Sequence, residues 1–297
     1  MIEVLLACFT LAAGAQDPPT FGVGVDAVRV DVFVGRGGRS VKGLTSGDFE
    51  VLDNGMPQNI RLIAREQTAL HAVLLLDVSG SVAGRKLQSL KDAVRAFLAG
   101  LGKRDRTTLL AFSYDVRRIG HGRVAASEVA AALDTLLAGG ATALHDAAYL
   151  AIATAASPAD ASVVLLFSDG QDRLSWLSAE TVVDAARGSP SPVYTVFLAD
   201  RVVGRQSSPG GPPDISYEET PAFLRGIAMK SCGRLLRDTS PEDLTGHFQA
   251  IIEEAKDRYI LVFQPAPDAA PGWHDLEVRV RARKVSVQAR RGYYLSR

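Results

Sequence analysis

Two periods alternate through the middle of the chain. Residues 72–76, 107–112, 162–167 and 193–198 are short, nearly unbroken apolar runs rich in Val, Leu and Phe, as expected of strands covered on both faces in a parallel sheet. Between and after them, apolar residues recur at steps of three and four: Leu87, Leu90, Val94 and Leu98; Val129, Leu133 and Leu136; Leu244, Phe248, Ile251 and Ala255. That spacing predicts amphipathic helices. Repeated β-α alternation implies right-handed crossovers, hence an α/β fold with a doubly wound, mainly parallel sheet. Ligands of such sheets gather beyond the carboxyl ends of the strands.

The flanks keep a different period. Val28, Val30, Val32 and Val34 alternate with more polar residues, and Asn54-Gly55 separates two strand-like pieces, a hairpin signal. From residue 258 onward three strands are expected, with Leu276, Val278 and Val280 and then Val285, Val287 and Ala289 on the buried parity. Both ends read as antiparallel β, and neither holds enough strands for a stable sandwich alone. The two ends are therefore expected to meet in one β-sandwich, formed by residues 21–66 and 257–297, into which an α/β domain at 70–256 is inserted. A Gly-, Pro- and Ser-rich segment, residues 200–220, interrupts the α/β unit; it follows a strand's carboxyl end and is expected on the same rim as the other strand-end loops.

Composition narrows the partners. Lys plus Arg and Asp plus Glu balance at 33 each, so no basic excess drives binding to nucleic acid. The alternating arginines near the end, "EVRVRARKVSVQARR", put charge on one strand face and valines on the other, which is a solvated sheet face. At the start, an apolar run from Val4 to Ala13 leads into Ala13-Gly14-Ala15, the pattern of a signal peptide at 1–15 cleaved after Ala15, although Glu3 takes the place of the usual basic residue. That run is too short to span a bilayer. The expected location is exported: periplasmic, cell-surface or secreted. "LLAC", residues 5–8, leaves open a lipoprotein reading with Cys8 modified. After cleavage Cys232 remains alone, so no disulfide framework is expected, and its apolar surroundings suggest a small core residue.

Oxygen-bearing side chains collect at the predicted strand ends. The first run passes into "DVSGS", with Asp77, Ser79 and Ser81; the third passes into "FSDG", with Asp169; and "GGAT" puts Thr142 after a glycine pair and before a helix. Three loops can thus bring five oxygen donors to one rim, a set suited to a hard cation such as magnesium, which takes oxygen ligands and only one or two carboxylates. Each Ser or Asp taken alone could simply cap a helix. Asp115, Asp146 and Asp172, close in sequence to these loops, read as capping or solvated groups. The five histidines are dispersed, without HExxH spacing, and neither GxxxxGK[ST] nor GxSxG occurs. An aspartyl-phosphate enzyme could use Asp77, but Ser79 stands where a second acid is needed. Trp176 and Trp273 are isolated aromatics for which core or edge packing suffices.

In order and context, "DVSGS", the Gly-Gly-x-Thr element and "FSDG" resemble the metal-ion-dependent adhesion site of von Willebrand factor type A domains, and all five family positions match. The resemblance implies that Ser79, Ser81 and Thr142 coordinate Mg2+ (or Mn2+) directly, that Asp77 and Asp169 act through water, and that one position is left for an Asp or Glu of a protein ligand. It implies a non-enzymatic, metal-dependent protein-binding module. The alternatives are a structural component of a cell-envelope complex in which the ion only stabilises the fold, and a magnesium-dependent, phosphatase-like enzyme. The flanking "GLTSGDFEVLDNGMPQNI" and terminal "RRGYYLS" are similar to a bacterial, acidobacterial-type group of von Willebrand factor A-related proteins.

Overall fold

The computed structural model describes residues 27–37, 39–63, 69–156, 161–198, 201–203, 215–217, 221–237 and 241–296. The expected signal peptide with Cys8, and most of the 200–220 segment, lie outside the described residues. The first strands are β1 (Val28–Arg36), β2 (Arg39–Ser40), β3 (Phe49–Asp53), β4 (Met56–Pro57) and β5 (Arg61–Ile63). The middle of the chain runs β6 (Leu70–Asp77), α1 (Arg85–Ala99), β7 (Arg106–Phe112), β8 (Val116–Val124), α2 (Ala126–Leu133), α3 (Leu144–Ala155), β9 (Ala161–Ser168), α4 (Ala179–Gly188) and β10 (Val193–Phe197). It continues with β11 (Arg201–Val203), β12 (Ile215–Tyr217), α5 (Ala222–Lys230), β13 (Leu235–Arg237) and α6 (Pro241–Lys256). The last strands are β14 (Tyr259–Phe263), β15 (Gly272–Val280), β16 (Ser286–Gln288) and β17 (Gly292–Leu295).

The central sheet has the order β13-β10-β9-β6-β7-β8, parallel throughout except for β8, which pairs antiparallel with β7 at the edge. All eight residues of β6 are buried, which explains its unbroken apolar run. Leu70, Ala72, Leu74 and Leu76 pack into the layer built by α1, α2 and α6, whereas Val73 and Leu75 face α3, α4 and α5. The sheet is thus doubly wound, as the alternation of periods predicts. From β6 the chain goes to β7 and β8 on one side, then returns to β9, β10 and β13 on the other. The strand order reverses between β6 and β9, and a crevice opens outside the carboxyl ends of strands at such a switch point. Asp77 closes β6 and Ser168 closes β9, so the candidate oxygens flank this crevice.

The flanks form two sheets, β16-β1-β14-β5 with β2 on β1, and β17-β15-β3-β4. Each sheet mixes strands from both chain ends: Val30 pairs with Leu261, and Val51 with Val278. Val28, Val30, Val32, Val34, Phe49, Val51, Leu261, Phe263 and Leu276 fill the space between them. This is the β-sandwich into which the α/β unit is inserted. At the expected hairpin, Asn54 and Gly55 have φ of 48° and 82°, the left-handed pair that a two-residue hairpin turn requires. The downstream flank contributes four strands, one more than expected: β17, "GYYL", shows no alternation of apolar and polar residues. Among the described residues no helix is long and apolar enough to cross a membrane.

Candidate metal centre

The chain leaves β6 through Asp77, which is fully buried. Its Oδ1 accepts the Ser79 amide at 2.9 Å, a local turn that folds the "DVSGS" segment back over the strand end. Its Oδ2 accepts the Ser168 hydroxyl at 2.7 Å, tying β6 to its neighbour β9. Ser79 precedes a short 3-10 turn, Gly80–Val82, yet its side chain makes no capping bond. Instead its Oγ lies 3.1 Å from that of Ser81. Capping alone therefore does not account for this hydroxyl.

The loop carrying Thr142 is latched to the first. The Gly80 amide donates to Gly140 O and the Gly139 amide to Val78 O, both at 2.8 Å. Gly140 has a φ of 84°, and a Cβ there would stand 3.0 Å from Tyr114 Cδ1, so the glycine is needed for both backbone and space. Thr142 is buried, and its carbonyl accepts the amides of Arg173 at 2.9 Å and Leu174 at 3.0 Å. Ser81, Gly140, Ala141, Thr142 and Arg173 line one cavity of about 350 Å3.

The third loop contributes Asp169, which is 3% exposed. Its Oδ1 accepts the Gln171 amide at 3.2 Å, whereas its Oδ2 is buried without a hydrogen-bond partner. Lys86 Nζ, on the first turn of α1, lies 3.5 Å from that oxygen. Burial pushes the Asp77 carboxyl above its usual range, and the negative charge of Asp169 pushes the same way, while hydrogen bonds from Ser79 and Ser168 oppose them. Two acids out of water, one with an oxygen that lacks a hydrogen bond, beside the hydroxyl-bearing Ser81 and Thr142 of the cavity, offer the kind of donor set that fits a hard divalent cation. Among the described residues no three His, Cys, Asp or Glu side chains gather in one place, so a cation here depends on the hydroxyls.

The structure thus draws Asp77, Ser79 and Ser81 together directly, sets Asp169 beside Asp77 across Ser168, and puts Thr142 on the cavity with Ser81. Sequence reading missed Ser168, Lys86 and Arg173. Ser168 precedes Asp169 at a strand end and could have been inferred from that position; the other two carry no pattern. Asp146 and Asp172 cap backbone amides, Asp146 those of Trp176 and Leu177, Asp172 that of Leu144. Cys232 is half-buried beneath the sandwich, with its thiol on Ala289 O. Packing was the expectation for Trp176, but the residue is 96% exposed, because those capping bonds fix the loop backbone with the side chain outward. Trp273 does pack, under the Arg187 guanidinium at 4.2 Å.

Human inter-alpha-trypsin inhibitor heavy chain H4 is 25% identical over 200 residues, a match covering 62% of this chain and 20% of that protein, so the chain spans about a fifth of this relative's length. Among solved structures, a von Willebrand factor type A protein from Catenulispora acidiphila is similar at a TM-score of 0.47 and 12% identity, over 93% of this chain and 74% of that one. An aerotolerance-related membrane protein from Bacteroides fragilis gives 0.48 and 17%, over 63% of this chain and 100% of that one. The vWF domain of the type V pili tip protein Mfa5 from Porphyromonas gingivalis gives 0.46 and 10%, over 63% and 94%. The family model of the von Willebrand factor type A domain matches residues 72–171, the stretch that holds all five candidate oxygens.

Proposed function

We propose that the protein is a metal-ion-dependent protein-binding module of the adhesion type, which recognises a carboxylate of its partner through Mg2+ or Mn2+ held by Asp77, Ser79, Ser81, Thr142 and Asp169. The observation that carries this reading is the buried Oδ2 of Asp169, which has no hydrogen-bond partner and only the Lys86 ammonium at 3.5 Å, at a strand-end crevice beside a hydroxyl-lined cavity. A bound divalent ion supplies positive charge and an open coordination position for an outside acid. The chain's own part is to aim the donors: Ser168 and the Ser79 amide hold Asp77, and the Gly139-Gly140 latch holds Thr142 in register. Only two carboxylates balance the ion, while Lys86 and Arg173 add positive charge at the rim, so an acidic partner is drawn toward it. Domains of this family are commonly interaction modules, and an exported protein with an envelope or extracellular partner is consistent with that role.

Calorimetric titration of magnesium into the wild-type chain and into Asp169→Asn and Thr142→Ala tests the reading. Both variants should bind magnesium at least about ten-fold more weakly while staying folded. Equal affinity in all three chains contradicts the assignment. A second reading, in which the ion only stabilises the fold, draws on the complete burial of Asp77 next to a second acid. It predicts that chelator lowers the melting temperature while partner binding by the remaining folded protein is unchanged.

A further inference from the structure

The loops on either side of the candidate centre carry exposed apolar side chains. β7 and β9 are the two neighbours of β6, so the loops leaving their carboxyl ends flank Asp77 on opposite sides. The β7 loop presents Tyr114, 67% exposed, whose ring borders Gly140. The β9 loop presents Leu174, 49% exposed, and Trp176, 96% exposed. Leu174 is tied by its amide to Thr142 O, and Gly140 and Thr142 both line the cavity. Of nine exposed large apolar side chains among the described residues, Tyr114 and Leu174 stand beside this one site, and Trp176 follows two residues after Leu174 on the same loop. Single exposed apolar residues need no explanation, but a group around a polar cavity does.

Trp176 is held outward by an ordered backbone. The Asp146 carboxylate accepts the amides of Trp176 at 3.0 Å and Leu177 at 2.9 Å. Asp172 Oδ1 accepts the Ser175 hydroxyl at 2.6 Å and the Leu144 amide at 2.7 Å, joining the loop to the start of α3. A large ring fixed in water before binding is an anchor whose ordering cost is already met. Arg173 lines the cavity, and Lys86 lies 3.5 Å from Asp169 Oδ2, so two basic side chains and the proposed ion stand opposite the acids of this rim. Apolar flanks around a positive centre complement an acid set among apolar neighbours.

We propose that this rim is a two-sided apolar clamp whose occupant is a protein segment presenting an Asp or Glu with aromatic or branched aliphatic side chains close on either side of it. The proposal rests on the metal-and-carboxylate reading given above and adds the chemistry of the partner's neighbouring residues. Tyr114 covers one flank of the segment, Leu174 and Trp176 the other, and together they exclude water from the polar contact between them.

The test pans a random heptapeptide phage library against the whole chain in magnesium, then measures synthetic copies of enriched peptides by fluorescence polarisation. Enriched peptides should carry an acid with Phe, Tyr, Trp, Leu or Ile within about two positions. Trp176→Ser should weaken them about 30-fold, as truncation of an interface anchor does, and Tyr114→Ser less, with magnesium affinity and melting temperature unchanged in both. Acids with random neighbours, no enrichment at all, or wild-type binding by both variants overturns the clamp, and the first of these leaves the metal reading intact. Binding that survives chelator, or replacement of the peptide's acid by its amide, while still requiring Trp176, sinks the metal-and-carboxylate reading and overturns the acid-centred clamp with it. Magnesium-independent adsorption to zwitterionic lipid vesicles that Trp176→Ser abolishes would assign the rim to a membrane surface instead, and also overturns the proposal.

Discussion

Two parts of the molecule bury acidic side chains, and they treat them differently. In the sandwich, Asp53 lies between β3 and the last strands with both oxygens occupied: His274 Nδ1 is 2.8 Å from Oδ1, and Tyr293 donates to Oδ2 at 2.8 Å. His274 completes the set through Nε2, 2.8 Å from Ala270 O. At the crevice of the α/β unit, Asp169 keeps one buried oxygen without a hydrogen bond, next to a second buried acid. The sandwich network is closed and holds the two chain ends together. The crevice is less complete: its acid has the Lys86 ammonium at 3.5 Å but no hydrogen bond to that oxygen, and the proposed ion would supply the missing partner.

The largest expected effect tests that contrast. Asp53→Ala leaves a buried imidazole and a phenol without their acceptor and should cost about 3 kcal/mol or more in chemical denaturation. Asp169→Ala, measured in chelator, removes an acid that lacks full compensation and should change stability by less than about 1 kcal/mol in either direction. A loss at Asp169 as large as that at Asp53 would mean that the crevice acid is structural, and the contrast would collapse.

A smaller effect sharpens the sandwich half. Both His274 nitrogens face acceptors, so the network favours the imidazolium. The bond to Ala270 O raises its pKa most, burial opposes, and the bond and charge of Asp53 raise it further. Because the folded value lies above the unfolded one, the stability it contributes is complete below about pH 6.5 and is lost as pH rises through the folded value. The Tyr293 phenol, pushed upward by burial and then by its bond to Asp53, stays protonated over that window. Thermal melts should therefore fall from slightly acid to mildly alkaline pH, and His274→Gln should flatten that slope. A slope that persists in the variant points to another group.

The same contrast explains what could be read from the chain. β6 was legible because both of its faces are buried, so apolar residues run without a break. Asp77, Ser79, Ser81 and Asp169 could be singled out as candidates because oxygen-bearing residues at predicted strand ends break the apolar pattern, and Thr142 because it follows a glycine pair before a helix. β8, "VRRIGHGRV", was not legible, since an edge strand interrupted by Gly120 and Gly122 at positive φ needs little apolar content. The closed Asp53–His274–Tyr293 set was not legible either. Its members are about 220 and 240 residues apart, and nothing local links them. Lys86 escaped for the same reason, being placed by the fold of three loops rather than by any period.

Lys86 gives the smallest effect and tests the open half of the contrast most closely. Its side chain is 14% exposed and reaches within 3.5 Å of the orphaned Asp169 oxygen, so in the metal-free protein it partly offsets that charge. A divalent ion held by the same carboxylate must bind beside this ammonium. Like charges a few ångströms apart at a partly screened site cost on the order of 1 kcal/mol. Lys86→Met keeps the length and packing of the stem while removing the charge, so magnesium should bind about five-fold more tightly in calorimetry. The same variant should lose some attraction for an acidic peptide, mainly as a slower association rate that converges on wild type in high salt. Weaker magnesium binding in Lys86→Met would show instead that the ammonium organises Asp169 for the ion, and the orphaned oxygen would no longer measure an unmet charge.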